Sequence, residues 1–325
     1  MKQSKRISIS LFYEMLRIRM VEETIAGLYA LQQMRCPVHL CIGQEAVAAG
    51  VCAQLRTADY LMSNHRSHGH YLAKGGDMKA MFAEIFGKAT GCSGGKGGSM
   101  HLVDLTVNIL GTTPIVGGVI PVAAGIAFGT VLQNKKRLSA VFMGEAAAEE
   151  GVFAETLNFC ALKRLPVLFV CENNFFSVYS PLSVRQPAAR SNSKLAAAYG
   201  IPAHAGDGND VSGVYEAAGK AVRHIRVHGG PYYLEFKTYR WREHCGPNYD
   251  NDLGYRKESD FIKWRKRCPV ENYQRKLLRD RILNSAVLEG MKSRISAEIA
   301  EAVRFAKESP FPPASDALSG VYSNR

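Results

Sequence analysis

Two polar segments follow neighbouring predicted strands, and together they could hold a hard cation. The run MGEAAAEEG (143–151) leaves the first strand, and CENN (171–174) ends the second. The carboxyl ends of adjacent strands in a doubly wound sheet open onto one crevice, so Glu145 and Asn174, 29 positions apart, are expected to face the same ligand. Carboxylate and amide oxygens suit Mg²⁺, and the backbone amides of the turn at 144–148 would complete a diphosphate cradle. If the turn is considered alone, an ordinary N-capping role of the carboxylate explains it equally well.

The surrounding sequence alternates short apolar runs with helical patterns. This alternation predicts an α/β protein with a doubly wound, mainly parallel sheet and helices on both faces. Helices are predicted at 10–31, between the first two strands, and at 210–227 with Asp210 as the N-cap. The predicted strands are 139–143, 166–171 and 231–237.

The chain shows no change of composition that would separate domains. We predict a single domain, 1–308, with an N-terminal helical arm and C-terminal helices, one of them amphipathic near 294–307. The remaining stretch, 309–325, is predicted to be a tail that needs a partner to become ordered.

Composition excludes several classes of protein. With 325 residues, 46% of them hydrophobic, the chain is no peptide hormone, collagen or disordered tail. The formal charge of +12 suits anionic ligands or partners, but no nucleic-acid-binding motif accompanies it, so no nucleic acid partner is expected.

The uncharged run 115–132 contains a proline and four glycines, which favours a helix in a protein interface over a membrane span. Eight cysteines without a C-x-x-C pair, and a start without a signal-peptide pattern, predict a cytoplasmic chain.

Several motifs in a fixed order carry a family resemblance. G-E-A followed by N-N resembles the thiamine diphosphate signature, G-D-G followed after roughly 30 residues by N-N. The chain from about residue 10 to 280 resembles the alpha subunit of the decarboxylating component of 2-oxo-acid dehydrogenase complexes. The further blocks that support this resemblance are HLCIGQEAV (39–47), HRSHGHYLAKG (65–75), GKGGSMHLVD (95–104), DGNDV (207–211) and KTYRWREH (237–244).

The resemblance implies thiamine diphosphate and magnesium as cofactors and assigns roles to individual residues. The implied metal ligands are Glu145, Asn174 and the main-chain carbonyl of Phe176. His101 and His244 are implied to face the reacting carbon of the cofactor and to handle protons, and His39 is implied to border the substrate pocket. The other implied cofactor contacts are His65 and Arg66 at the diphosphate, Gly144, Ala146 and Ala147 along the phosphates, and Ile115 and Val116 against the cofactor.

The sequence departs from the family pattern at three positions. Glu145 stands where aspartate is usual and Ala146 where glycine is usual. Our hypothesis is that these two residues weaken or alter cofactor binding. Cys245 occupies the place of a regulatory serine in animal relatives, so phosphorylation there is not implied.

The implied function is that of an oxidoreductase that shares its active site with a partner. The resemblance implies oxidative decarboxylation of pyruvate or a related 2-oxo acid and acyl transfer to a lipoyl acyltransferase. A beta subunit would complete the active site in an α₂β₂ assembly. Two alternatives stay open: an acetoin-type dehydrogenase or dedicated biosynthetic enzyme, and a scaffold subunit impaired in cofactor binding at Glu145 and Ala146.

Overall fold

A computed structural model describes residues 4–34 and 36–319 of the chain. Six strands form one parallel sheet in the order β2–β1–β3–β4–β8–β7, and a two-stranded antiparallel hairpin, β5–β6, lies apart from it. The predicted α/β architecture with a parallel sheet is therefore confirmed. The strands are β1 (Tyr60–Ser63), β2 (Ile109–Thr112), β3 (Ser139–Gly144), β4 (Val167–Asn173), β5 (Phe176–Ser177), β6 (Ser180–Pro181), β7 (Ala203–Asp207) and β8 (Tyr232–Lys237).

Helices cover both faces of the sheet, as predicted. They are α1 (Lys5–Tyr29), α2 (Glu45–Cys52), α3 (His68–Ala73), α4 (Met78–Ile85), α5 (Val119–Leu132), α6 (Gly151–Leu162), α7 (Leu182–Arg185), α8 (Asn192–Ala198), α9 (Val211–His228), α10 (Glu258–Arg265), α11 (Pro269–Arg279) and α12 (Ser285–Glu308). Asp210 caps α9 as predicted, because its carboxylate accepts the Ser212 N–H at 3.1 Å. Helix α1 begins earlier than predicted, since Ser4 supplies the N-cap.

Strands β3 and β4 are buried on both faces, which explains their unbroken apolar sequences. Ala140 and Phe142 belong to a core shared with α1, α2 and α9, whereas Val141 and Met143 belong to a second core shared with α5 and α6. A strand covered on both sides has no solvent face, so its polar groups collect at its ends. The register pairs Gly144 with Glu172, and this places the two polar segments side by side.

The C-terminal region packs back on the chain. Helix α12 lies against α4 and α1. Beyond it, the Ala89 N–H donates to the Pro310 carbonyl at 2.9 Å, and the Lys88 ammonium lies 3.8 Å from the centre of the Phe311 ring. The described part of the predicted tail thus has partners within the chain itself, whereas the division into a domain of 1–308 and a tail of 309–325 stays a prediction.

Helix α5 is shorter than the uncharged run that contains it. It spans 14 residues, and none of the helices within the described ranges combines the length and apolarity that crossing a membrane requires.

Gly43 holds the turn before α2 against the segment that follows β8. Its φ is +98°, and an added Cβ would lie 2.5 Å from the Tyr239 carbonyl oxygen and 2.6 Å from Cδ1 of Trp241. Only glycine combines this left-handed backbone with so close an approach.

We expect Gly43→Ala to lower the free energy of unfolding by about 2–4 kcal/mol, because it adds backbone strain and overpacking. Urea denaturation followed by circular dichroism measures the change. Gly290→Ala is the matched control: Gly290 lies within α12 with open space around its Cβ position, so the same methyl group should stabilise by about 0.5–1 kcal/mol. Equal effects of the two substitutions would contradict the packing argument.

Candidate functional site

A cavity of about 920 Å³, including its open mouth, lies at the carboxyl ends of β1, β3 and β4. The structure brings most of the predicted site residues together there. Among the predicted residues only His101 lies off its lining; it is exposed, directly after the turn Gly98–Met100. The predicted residues on the lining are His39, His65, Arg66, Ile115, Val116, Gly144, Glu145, Ala146, Ala147, Asn174, Phe176 and His244.

Glu145 begins the short turn that follows β3 and is only 1% exposed. Its Oε1 accepts a hydrogen bond from Nη2 of Arg185 at 2.7 Å, and the same guanidinium also pairs with Glu149. Burial raises the pKa of Glu145 to about 7, although its own backbone N–H and Arg185 act in the opposite direction. A cationic side chain therefore already shares the carboxylate that was predicted to bind a metal.

Asn174 and Phe176 lie in a tight turn between β4 and β5. The Asn174 Oδ1 accepts the Phe176 N–H at 3.1 Å, and the intervening Phe175 has a φ of +70°. A side-chain oxygen that accepts one hydrogen bond keeps a second lone pair for a cation. The oxygen donors of Glu145, Asn174 and Phe176 thus fit a hard cation by type, with Arg185 as a competitor for one of them.

Arg66 is a buried cation with no direct ion-pair partner in the part of the chain that the structure describes. It is 6% exposed, and its guanidinium donates to two carbonyl oxygens, those of Leu40 at 2.6 Å and His244 at 3.0 Å. No carboxylate in the described ranges forms an ion pair with it. Burial and the nearby Arg240 lower the pKa of Arg66 to about 10, so it stays charged at neutral pH. A buried cation on a cavity wall that no carboxylate contacts directly fits a phosphate group.

Three histidines cluster on the same cavity lining. The ring centres of His39 and His65 are 4.7 Å apart, those of His39 and His244 are 5.2 Å apart, and those of His65 and His244 are 5.5 Å apart. Burial, followed by repulsion from Arg66, lowers their pKa values to about 3 for His39, about 2 for His65 and about 3 for His244. All three imidazoles are therefore uncharged at neutral pH, and each offers the lone pair of one ring nitrogen to a hydrogen-bond donor or a metal ion.

Sequence reasoning missed two groups of residues near the cavity. Arg185 lies on α7, and nothing in the run SPLSVRQ points back to Glu145. A second group links three segments: Nδ1 of His68 pairs with Glu22, and Nε2 of His68 lies 2.8 Å from Oγ of Ser99. These hydrogen bonds follow the order of a hydrolytic triad, but Glu22, His68 and Ser99 are fully buried, so no substrate reaches them and the set stabilises the fold.

A parallel α/β sheet with a buried cation and uncharged imidazoles on a cavity at its carboxyl edge is an arrangement that suits an anionic ligand. Comparison with known proteins makes this more specific: the family described as dehydrogenase E1 component matches residues 13–315, so the chain belongs to that family. The predicted resemblance is confirmed.

Three of the similar proteins are alpha subunits that match this chain along nearly their whole length. The alpha subunit of the acetoin:2,6-dichlorophenolindophenol oxidoreductase of Bacillus subtilis is 39% identical over 332 residues, which cover 99% of this chain and 98% of the relative. The pyruvate dehydrogenase E1 component subunit alpha of Porphyra purpurea is 36% identical, with 96% and 92% covered, and that of Rickettsia felis is 32% identical, with 99% and 97% covered. The chain is thus an oxidoreductase subunit similar to E1 alpha subunits.

We expect the histidine cluster to make stability fall in acid. Because the folded-state pKa values lie below the ordinary 6.5, their contribution is present above pH 6.5 and is lost as the pH falls toward about 3. Each ring costs at most about 1.4 kcal/mol per pH unit in that window, less where solvent screens it. Urea denaturation at about pH 7 and about pH 5 should show a smaller loss for His65→Gln than for the wild type. His204→Gln, which changes an exposed histidine on β7, should lose as much stability as the wild type. A loss in His204→Gln as small as that in His65→Gln would contradict this assignment.

We expect Arg185→Gln to destabilise the chain by about 1–3 kcal/mol, because Glu145 loses its charged partner while buried. The loss stays below that of a fully broken buried pair since the carboxyl can take up a proton instead. Arg267→Gln is the control: its ion pair with Asp207 is about half exposed on both sides, so its loss should cost less than about 1 kcal/mol. A comparable urea midpoint for the two variants would argue against a role of Arg185 at Glu145.

Proposed function

We propose that this chain is the alpha subunit of a thiamine diphosphate-dependent dehydrogenase of the E1 type. Its reaction would be the oxidative decarboxylation of pyruvate or a related 2-oxo acid, with the acyl group passed to the lipoyl arm of an acyltransferase. The observation that carries the proposal is Arg66, a buried guanidinium on the wall of the cavity that forms no ion pair within the described residues. The family match and the similar alpha subunits support it.

Residues from both sides of the cavity would hold the cofactor. Arg66 and His65 would bind the diphosphate, together with the backbone of the turn 144–147. Magnesium would be held by Glu145, Asn174 and the Phe176 carbonyl, once Arg185 yields one carboxylate oxygen. Ile115 and Val116 would provide apolar surface for the rest of the cofactor.

The chain's own contribution to the chemistry would be positioning and proton transfer. When bound, thiamine diphosphate supplies the nucleophilic carbon and the electron sink that decarboxylation requires. His39 and His244 line the cavity as uncharged imidazoles, and the negative charge of a bound diphosphate would raise their pKa values toward the range in which each takes up and returns a proton. His101 lies off the lining. It would take part only if a partner chain or the bound substrate brings it into contact with the reacting atoms.

A beta subunit would complete the site in an α₂β₂ assembly. The rim of the cavity and helix α5 expose large apolar side chains, a surface that a partner chain would cover. These are Ile115 (70% exposed), Val116 (49%), Val122 (50%) and Leu132 (68%).

We place the assembly in the cytoplasm, because all eight cysteines are free thiols.

An acetoin-type dehydrogenase is the second candidate. The observation in its favour is the 39% identity with the Bacillus subtilis subunit, against 31–36% with the pyruvate dehydrogenase alpha subunits compared. Co-expression with the beta subunit and dye reduction with pyruvate, branched 2-oxo acids and acetoin separates the two candidates. No turnover with any of them and no cofactor binding would leave a scaffold role.

We expect Arg66→Gln to weaken thiamine diphosphate binding by about 10–100-fold, since a charged hydrogen bond contributes about 1.5–3 kcal/mol. Isothermal titration calorimetry of the co-expressed assembly with magnesium present measures this. Arg267→Gln changes a residue that does not line the cavity, so this variant should bind as the wild type does. Unchanged affinity in Arg66→Gln would refute the assignment of the diphosphate to this guanidinium.

A further inference from the structure

The three histidines of the cavity are brought together by one side chain. His39, His65 and His244 come from the loop before α2, the loop after β1 and the segment after β8. Arg66 follows His65 directly, and its guanidinium donates to the carbonyl beside His39, that of Leu40, and to the carbonyl of His244 itself. The hydrogen bonds of Arg66 therefore fix three chain segments so that their imidazoles converge.

The ring nitrogens of this cluster are available to a ligand. One nitrogen from each imidazole lies within 4.8 Å of the other two. His39 is only 7% exposed, and its Nδ1 is buried without a hydrogen-bond partner. Throughout the described ranges, no side-chain hydrogen bond occupies the rings of His65 and His244. Their edge-on and tilted arrangement leaves the nitrogens unstacked. An unsatisfied polar atom at this depth points to a group that binds there.

We propose that His39, His65 and His244 form a binding site for a divalent transition-metal ion of the Zn²⁺ type, with its fourth position open to the cavity. Three uncharged imidazoles and one open position are the ligand set of zinc sites that keep an exchangeable ligand. Mg²⁺ and Ca²⁺ prefer oxygen, so this site is distinct in chemistry from the oxygen donors at Glu145 and Asn174.

The distances require a modest closure of the cluster. With zinc–nitrogen bonds of about 2.0–2.1 Å in a tetrahedron, ligand nitrogens lie about 3.3 Å apart. The nitrogens observed within 4.8 Å must therefore approach by up to about 1.5 Å, a distance that side-chain rotation of the half-buried His65 and His244 covers. Repulsion from Arg66 opposes the ion and keeps the site weaker than that of a dedicated zinc enzyme.

The site has a functional consequence that rests on the proposed function. If His39 and His244 handle protons of the substrate, an ion bound to their nitrogens removes the lone pairs that do so. Zn²⁺ at micromolar concentration would then inhibit the assembled enzyme, and a zinc-selective chelator that leaves magnesium bound would restore turnover.

The test uses the full chain, stripped of metal and without cofactor. Titration with Co²⁺ alone should give the visible absorption of a tetrahedral cobalt site without the charge-transfer band of a thiolate ligand. Calorimetry with Zn²⁺ should show one site per chain whose affinity falls at least about tenfold in His65→Gln and in His244→Gln. Thermal denaturation shows whether each variant is folded. If one variant is unfolded, the loss of Zn²⁺ affinity in the other variant still tests the site.

Two matched variants exclude the competing ligands. His224 and His228, whose ring centres are 5.0 Å apart on α9, form a pair outside the cavity, and Cys245 is an exposed thiol beside His244. His224→Gln and Cys245→Ser should keep the Zn²⁺ affinity of the wild type. Loss of binding in either of these two variants, unchanged binding in His65→Gln, or no Zn²⁺ binding at all would overturn the proposal.

Dye-reduction assays keep this proposal separate from the proposed function. A chain that binds Zn²⁺ through the three histidines while the assembly turns over no substrate supports the metal site and removes the proposed function. An active assembly whose alpha subunit does not bind Zn²⁺ supports the proposed function and removes the metal site.

Discussion

The hydrogen bonds of Arg66 are the constraint on which the site depends. A guanidinium that is 6% exposed loses most of its hydration, and the carbonyls of Leu40 and His244 return only part of it. The burial has two results. It ties the segment before α2 to the segment after β8, and it leaves a positive charge facing the cavity. The same charge helps to keep His39, His65 and His244 uncharged, so the cation and the neutral imidazoles belong to one electrostatic arrangement.

The position of the cavity follows from the burial of the central strands. Strands β3 and β4 contribute to a core on each face, so they leave no room for polar groups along their length. Polar residues appear where the strands end, and the parallel register brings Glu145 and Asn174 to the same edge. The fold thereby determines where the functional site lies, whereas the particular residues at that edge determine which reaction the site supports.

Glu145 shows how an unusual residue is accommodated at such an edge. Its carboxylate is buried, and Arg185 from α7 balances both this charge and that of Glu149. The guanidinium reduces the cost of burying Glu145 and also takes up an oxygen that a metal would use. The longer side chain therefore comes with a partner supplied by a distant segment, and the two residues form one unit.

Residue patterns predicted the parallel α/β class, the central strands and the Asp210 cap of α9, and the family resemblance predicted part of the set of residues that line the cavity. These follow from local patterns: unbroken apolar runs, helical periodicity and ordered motifs. Strands β1, β2 and β7 escaped prediction because they have only 4, 4 and 5 residues, and β7 is a partly exposed edge strand. Three features became evident only in the folded chain: the pairing of Glu145 with Arg185, the joining of three histidine segments by Arg66, and the position of His101 off the cavity lining. Each of these depends on contacts between segments far apart in the chain, and no local pattern of residues encodes a distance across a cavity.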